Sequence, residues 1–328
     1  MSSPTTATRP SATRPSLISQ AVTRFDWRSN VIYIAFVVVF ILFAIFLSSD
    51  GFLSTNNMLN IVRQTATISI MAVAMTFVIA TAEIDLSVGS IAGLASVVTA
   101  MATTQWGLVP GIIAGLLSGA VIGAINGGLV ALLKVPSFLV TLGMLGLAAG
   151  LAQWITSSAP QPIGNTLYVQ IFGGGDFGPI PGLLVWTVVA VAIGWVAMNR
   201  TSFGRRVLAT GGNPTAAAYT GISTARIKFT VLLLSGIAAA IAGMLYAGRL
   251  ESGRFQWGQG DELTVIAAVI LGGTSLFGGR GAIIGTLVGS LFMGLINNGL
   301  ILAGLDVAQQ SVVRGAIIIA AVALSRKK

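Results

Sequence analysis

Apolar residues in this chain come in long, nearly unbroken blocks separated by short polar punctuation. The blocks fall at residues 31–47, 57–81, 86–104, 108–133, 137–156, 182–198, 229–248, 263–273, 282–304 and 309–324. A bilayer core of about 30 Å needs roughly 20 apolar residues in helical form. Within lipid a helix satisfies its own backbone polar groups. The pattern therefore predicts an all-α polytopic membrane protein with about ten transmembrane helices. The second and eighth blocks carry the weakest signals. Arg63 interrupts the start of one, and the other is short for a bilayer.

Composition agrees. Of 328 residues, 55% are hydrophobic and 8% are charged, against about 25% charged in a soluble globule. Cys and His are absent, which excludes disulfides, thiol nucleophiles, Cys/His metal sites and histidine proton relays. The net charge of +9 sits at the block boundaries, so it reports topology rather than nucleic-acid binding. With the N-terminus inside, Arg9, Arg14, Arg24, Arg28, Lys134, Arg200, Arg205, Arg206, Arg226, Lys228, Arg280, Arg326, Lys327 and Lys328 are cytoplasmic. Only Arg63, Arg249, Arg254 and Arg314 are outside. This excess inside supports ten spans with both termini cytoplasmic. Residues 1–29, rich in Ser, Thr, Pro and Arg, are expected to be a disordered cytoplasmic tail. Residues 30–328 are expected to be a single transmembrane domain. The first block is too long for a signal-peptide core and no small-residue cleavage site follows, so it reads as an uncleaved anchor.

Between the sixth and seventh blocks lies a polar island, residues 199–228, with five basic residues. Asn213-Pro214 reads as a helix start, since Asn caps well and Pro suits the first helical position. The following residues make about two turns, and Gly221 can supply a left-handed stop. So short a helix is marginal in water alone and needs a surface to dock on. It is either an ordinary surface loop or an element that transmits force from a cytoplasmic partner.

No extramembrane segment is large enough to fold as a domain. The chain contains no GxxxxGK[ST] motif, and the glycine-rich stretch 272–281, GGTSLFGGRG, lacks the Lys-Ser/Thr end that holds phosphate and magnesium. No nucleophile–base pair or metal set is visible. The chain is thus expected to be no enzyme and to hold no cofactor, with any nucleotide hydrolysis supplied by another chain.

Two pairs of segments echo each other. Asp85-Leu-Ser-Val opens the third block and Glu262-Leu-Thr-Val the eighth. A Gly-x-Ile-Asn pattern ends at Asn126 in the fourth block and at Asn297 in the ninth. An offset of five spans reverses orientation, which suggests a five-plus-five inverted repeat with a pathway at its interface. Asn126, Asn297 and Asn298 are the pathway candidates, although capping or interhelical bonding suits such amides equally. Gly115, Gly119 and Gly123, like Gly285 and Gly289, are four apart, for close packing within the chain or against another subunit. Glu83 and Asp85 flank a cytoplasmic reversal, leaving no carboxylate relay within the spans. Arg249, Glu251, Arg254, Asp261 and Glu262 form an outer charged group, either a solvated rim or a docking site. Trp106, Trp154, Tyr168 and Trp186 read as an interfacial aromatic belt.

Together, AEIDLSVG (82–89), GAINGGL (123–129), PSFLVTLG (136–143), TSFGRRVLATGGNPTAAAYTGI (201–222), GRLES (248–252), GDELTVIAAVILGGTSLFGGRG (260–281) and NNGL (297–300) resemble the permease subunits of bacterial ABC importers for monosaccharides of the ribose, xylose and galactose type. The likeness runs from about residue 61 to 324. It implies a ten-helix subunit of the bacterial inner membrane that passes a monosaccharide or similar neutral polyol. It also implies a second permease copy, identical or a close paralogue, and a cytoplasmic ATPase with two nucleotide-binding domains that bind ATP and magnesium. A periplasmic or lipid-anchored sugar-binding protein would complete the importer, with membrane lipid around it and no nucleic acid. By resemblance the coupling element runs from Gly204 to Gly221, with Gly204, Arg205, Asn213, Pro214, Ala217, Ala218 and Gly221 as its site residues. Glu83 departs from the family, which usually has Gly there. Other readings remain: a permease for another small solute such as branched-chain amino acids, or a stand-alone channel or secondary carrier.

Overall fold

The computed structural model describes residues 27–325 except 177 and 179. Most of the expected tail, residues 1–26, lies outside the described residues. The first helix, α1 (Trp27–Phe46), takes in the last three residues of the expected tail. Then come α2 (Thr55–Ala80), α3 (Val88–Trp106), α4 (Leu108–Ala131) and α5 (Ser137–Ile155). A short strand β1 (Gln161–Pro162), α6 (Thr166–Val169) and a π-helical turn (Gln170–Gly174) lead to α7 (Gly182–Arg200). The island folds as α8 (Ser202–Gly212) and α9 (Pro214–Tyr219). It is followed by α10 (Thr224–Arg249), β2 (Ser252–Gly253), α11 (Asp261–Leu271), α12 (Ile283–Leu302) and α13 (Val307–Ser325).

Each apolar block coincides with a helix. Seven of these, α2, α3, α4, α5, α7, α10 and α12, are long and apolar enough to cross a membrane, and α1 and α13 contribute shorter apolar stretches among the described residues. α11 has only 11 residues. Its missing length is supplied by the chain before it, which returns along α3 instead of continuing as helix. Gly253 abuts Ser96, and Gly258 abuts Gly89. Gly258 and Gly260 make this path possible with φ of 85° and 83°, a left-handed conformation that glycine adopts without strain.

Helices α2 and α10 form the centre. Every residue of α2 from 65 to 80 is buried, whereas the apolar windows of α4, α5 and α7 are only 22–28% buried. The second block is a core helix wrapped by protein, and two of its hydroxyls find partners on α12. Ser69 Oγ pairs with Ser290 Oγ at 2.7 Å and Thr76 Oγ1 with Thr286 Oγ1 at 2.8 Å, tying α2 to α12. On the other side, α4 meets α10 through facing glycines. A Cβ on Gly119 would lie 2.3 Å from the Gly236 carbonyl oxygen, and one on Gly236 the same distance from that of Gly119. Gly115 abuts Thr99 on α3; Gly285 and Gly289 abut Gly272 and Ala268 at α11. These glycines are consumed in packing within the chain.

The helix packing repeats itself. α10 packs on α4 and α3, α4 packs on α3, and α3 on α5. In the same way, α2 packs on α12 and α11, α12 packs on α11, and α11 on α13. α2 and α10 meet each other between the two groups.

Connections gather at two ends. At one, the Gly279 amide donates to Ala80 O (3.0 Å), the Ile84 amide donates to Ser137 Oγ (3.1 Å), and Lys228 pairs with Glu83. At the other, Arg63 pairs with Asp176 at 2.7 Å, β1 pairs with β2, and Asn57 and Asn298 exchange amide hydrogen bonds of 3.0 and 2.8 Å. Lys228, assigned inside by charge, lies at the first end, and Arg63, assigned outside, lies at the second.

Candidate coupling surface and buried polar core

The island is a two-helix bracket. Thr201 caps α8 by accepting from the Gly204 amide. α8 buries Gly204, Val207, Thr210 and Gly211 and turns Arg205 and Arg206 to solvent. Phe203 stacks on Phe77 of α2, with ring centroids 5.8 Å apart. A Cβ on Gly211 would stand 1.8 Å from Ala80 O, so only glycine permits this approach of α8 to the end of α2. Asn213 Oδ1 accepts from the Ala216 amide at 2.9 Å, and Pro214 takes the first position of α9. Gly221, at φ 83°, ends it, with the Ile222 amide bonded back to Ala217 O at 3.1 Å. The cap, start and stop are therefore those the residue types dictate.

The bracket divides the residues singled out from sequence by role. Asn213 and Gly221 shape α9, and Ala217 is buried against its base. Pro214, Ala218 and Tyr219 face outward, and Tyr219 is 89% exposed. Sequence reasoning passed over Tyr219; its signal was a single large side chain in a helix of otherwise small residues. Beside the bracket, the glycine-rich stretch makes a tight turn. The Ser275 amide donates to Arg280 O (3.2 Å) and that of Gly278 to Ser275 O (3.0 Å), and Phe277 projects with 66% exposure. Gly278 and Gly279 sit against Gly211 and Gly212. The glycines here serve close backbone packing rather than phosphate.

Asp85 corrects an expectation. It was placed at a cytoplasmic reversal outside the spans, yet its side chain is completely buried. Ser137 and Thr141 on α5 hold the Ile84 backbone from both sides, at 3.1 and 3.3 Å, and turn the loop inward. Asp85 then accepts from the Ser87 amide (2.9 Å), Ser87 Oγ (2.6 Å) and Ser235 Oγ of α10 (2.7 Å). Asn126 Nδ2 donates to Ser87 Oγ at 3.0 Å, and Asn126 Oδ1 is buried with no partner among the described residues. The core thus contains a carboxylate after all, fully tied. Asn126 belongs to its network. Asn298 is engaged at both ends of its amide with Asn57, and Asn297 is half-buried on a neighbouring face.

The outer charged group separates. Glu251 and Arg254 are exposed, and the Arg254 guanidinium lies over Trp257, 5.5 Å from the ring centroid. Arg249 is half-buried. Asp261 turns inward and accepts from the Tyr246 hydroxyl at 2.6 Å. Glu262 points at α3; a Cβ on Gly89 would lie 2.5 Å from Glu262 Oε2. None of the five forms an ion pair among the described residues. The two echoed acids, Asp85 and Glu262, thus both lie by the first turn of α3. Among the described residues no group of His, Cys, Asp and Glu could hold a metal.

Residues 57–322, which include every site residue above, match the family described as "Branched-chain amino acid transport system / permease component". The chain belongs to that permease family. The permease is 45% identical over 282 residues to the ribose import permease protein of Bacillus subtilis, covering 85% of this chain and 88% of that one. It is 39% identical to the fructose import permease protein of Rhizobium meliloti (89% and 84% covered). It is 34% identical to the xylose transport system permease protein of Escherichia coli (89% and 90% covered). No solved structure matches it. Family and apolar helices together make the permease a multi-pass protein of the bacterial inner membrane.

Proposed function

We propose that this permease forms the membrane pathway of an ATP-driven importer for a monosaccharide or a similar neutral polyol. The observation that carries the reading is α9: a capped, stopped helix that holds Tyr219 clear of the membrane domain, at the end where the basic residues gather. Such a helix presents a surface to a soluble partner and rides on α8 and α10, which reach into the core. The partner is a cytoplasmic ABC ATPase with two nucleotide-binding domains, and two permeases, identical or paralogous, meet it. A periplasmic or lipid-anchored binding protein delivers the sugar. The permease itself hydrolyses nothing. Closure of the ATPase on ATP draws the two coupling helices together and opens the pathway outward.

The architecture that suits this reading has ten spans, both termini in the cytoplasm, residues 30–328 as one domain and 199–228 as its coupling loop. The charge distribution favours it. The matched packing of α3 and α4 on α10, with α5 on α3, and of α11 and α12 on α2, with α13 on α11, favours a five-plus-five inverted repeat, whose halves rock about an interface. Sugar as the solute rests on the relatives' names. The family's description favours branched-chain amino acids as the second reading. Proteoliposomes decide between these and a stand-alone carrier. The complete importer should take up radiolabelled ribose, xylose or fructose only with internal ATP, and the permease alone should pass none. ATP-driven uptake of leucine instead would establish the second reading. Equal flux through the permease alone would refute ATP drive.

A further inference from the structure

The loop between α2 and α3 grips α10 at two places. Glu83 forms an ion pair with Lys228, the two side chains 11% and 28% exposed. Two residues on, Asp85 accepts from Ser235. Residues two apart in extended chain share a side, and residues seven apart on a helix return to the same face. Lys228 and Ser235 are seven apart, so one strip of α10 receives both acids. The two grips differ in kind. Asp85–Ser235 is wholly buried; Glu83–Lys228 reaches water and is open to screening.

The loop stands between two moving parts of the proposed importer. Behind it, only residues 220–223 separate α9 from α10. Ahead of it, α3 begins at Val88, and its second residue, Gly89, abuts Gly258 and Glu262 of the outer re-entrant segment. A displacement of α10 therefore reaches the outer segment through the loop and the first turn of α3. We propose that Glu83 and Lys228 are positioning residues. Their ion pair latches α10 to the α2–α3 loop, so that the stroke received at α9 moves α3 with it. The proposal rests on the coupling reading of α9.

The test uses the complete importer in proteoliposomes, with ribose as probe, and reads sugar moved per ATP hydrolysed. Glu83→Gln and Lys228→Met each lower that ratio about fivefold, the effect of a partly exposed pair, while ATP hydrolysis continues. Glu83→Asp keeps most of it. The exchange Glu83→Lys with Lys228→Glu restores the ratio to within about twofold of the parent, which a merely weakened fold would not do. An unchanged ratio in the single variants, or an exchange as poor as they are, overturns the latch. If the parent chain itself shows no ATP-driven uptake, it is the coupling reading that fails.

Discussion

Tyr219→Ala leaves the permease folded in the membrane and removes most of its uptake. At 89% exposure the side chain has little packing to lose within this chain, so truncation costs almost no stability. In the proposed importer it is the largest side chain on α9. Aromatic residues that fill a partner's pocket dominate interface energies, with losses of about 2 kcal/mol or more on truncation. A loss of that size weakens ATPase docking on the order of 30-fold. Binding of the purified ATPase to permease in nanodiscs checks this, alongside the permease's melting temperature. Weakened binding at an unchanged melting temperature is the expected pair of results. Unchanged binding would remove Tyr219 from the interface. A larger or charged side chain at Ala217 is not an equivalent test, because that position is buried and the substitution would disturb the fold.

Asp85→Leu acts in the opposite way, on stability first. It removes the acceptor for the Ser87 amide, Ser87 Oγ and Ser235 Oγ. Ser235, on a helix, can turn its hydroxyl back to its own backbone. The Ser87 amide cannot relocate, and Asn126 loses the fixed hydroxyl it donates to. An unsatisfied buried group costs about 1–3 kcal/mol, so the variant is destabilised by several kcal/mol. Asp85→Asn falls between the two, because it keeps one acceptor but turns an N–H₂ towards donors. Thermal unfolding in detergent is expected to rank parent, Asp85→Asn and Asp85→Leu in falling order. Equal melting temperatures would mean that the network contributes nothing to the fold.

These two sites mark the limit of what the sequence discloses. Block lengths specify helices because the bilayer sets one length scale, so all ten apolar blocks became helices. The Asn213-Pro214 start and the Gly221 stop were legible because cap chemistry is local. Asp85 was not. Its inward turn depends on Ser137 and Thr141, more than fifty residues away in sequence, and no local pattern announces such a grip. The outer charges looked like one group because they are near in sequence. The re-entrant chain before α11 divides them, sending Asp261 and Glu262 inward and leaving Glu251 and Arg254 outside. The echo of Asp-Leu-Ser-Val in Glu-Leu-Thr-Val was visible as letters. That both acids end beside the start of α3 came only from the way α11 folds back on it.

The chain has no native cysteine, which makes Ala218→Cys a clean probe of the central claim that the permease is moved from the cytosol through α9. Membrane-impermeant maleimide is applied to inside-out and to right-side-out vesicles, with and without the ATPase. The account predicts labelling only in inside-out vesicles, and protection once the ATPase is bound. Labelling from the outside, or labelling indifferent to the ATPase, would contradict it.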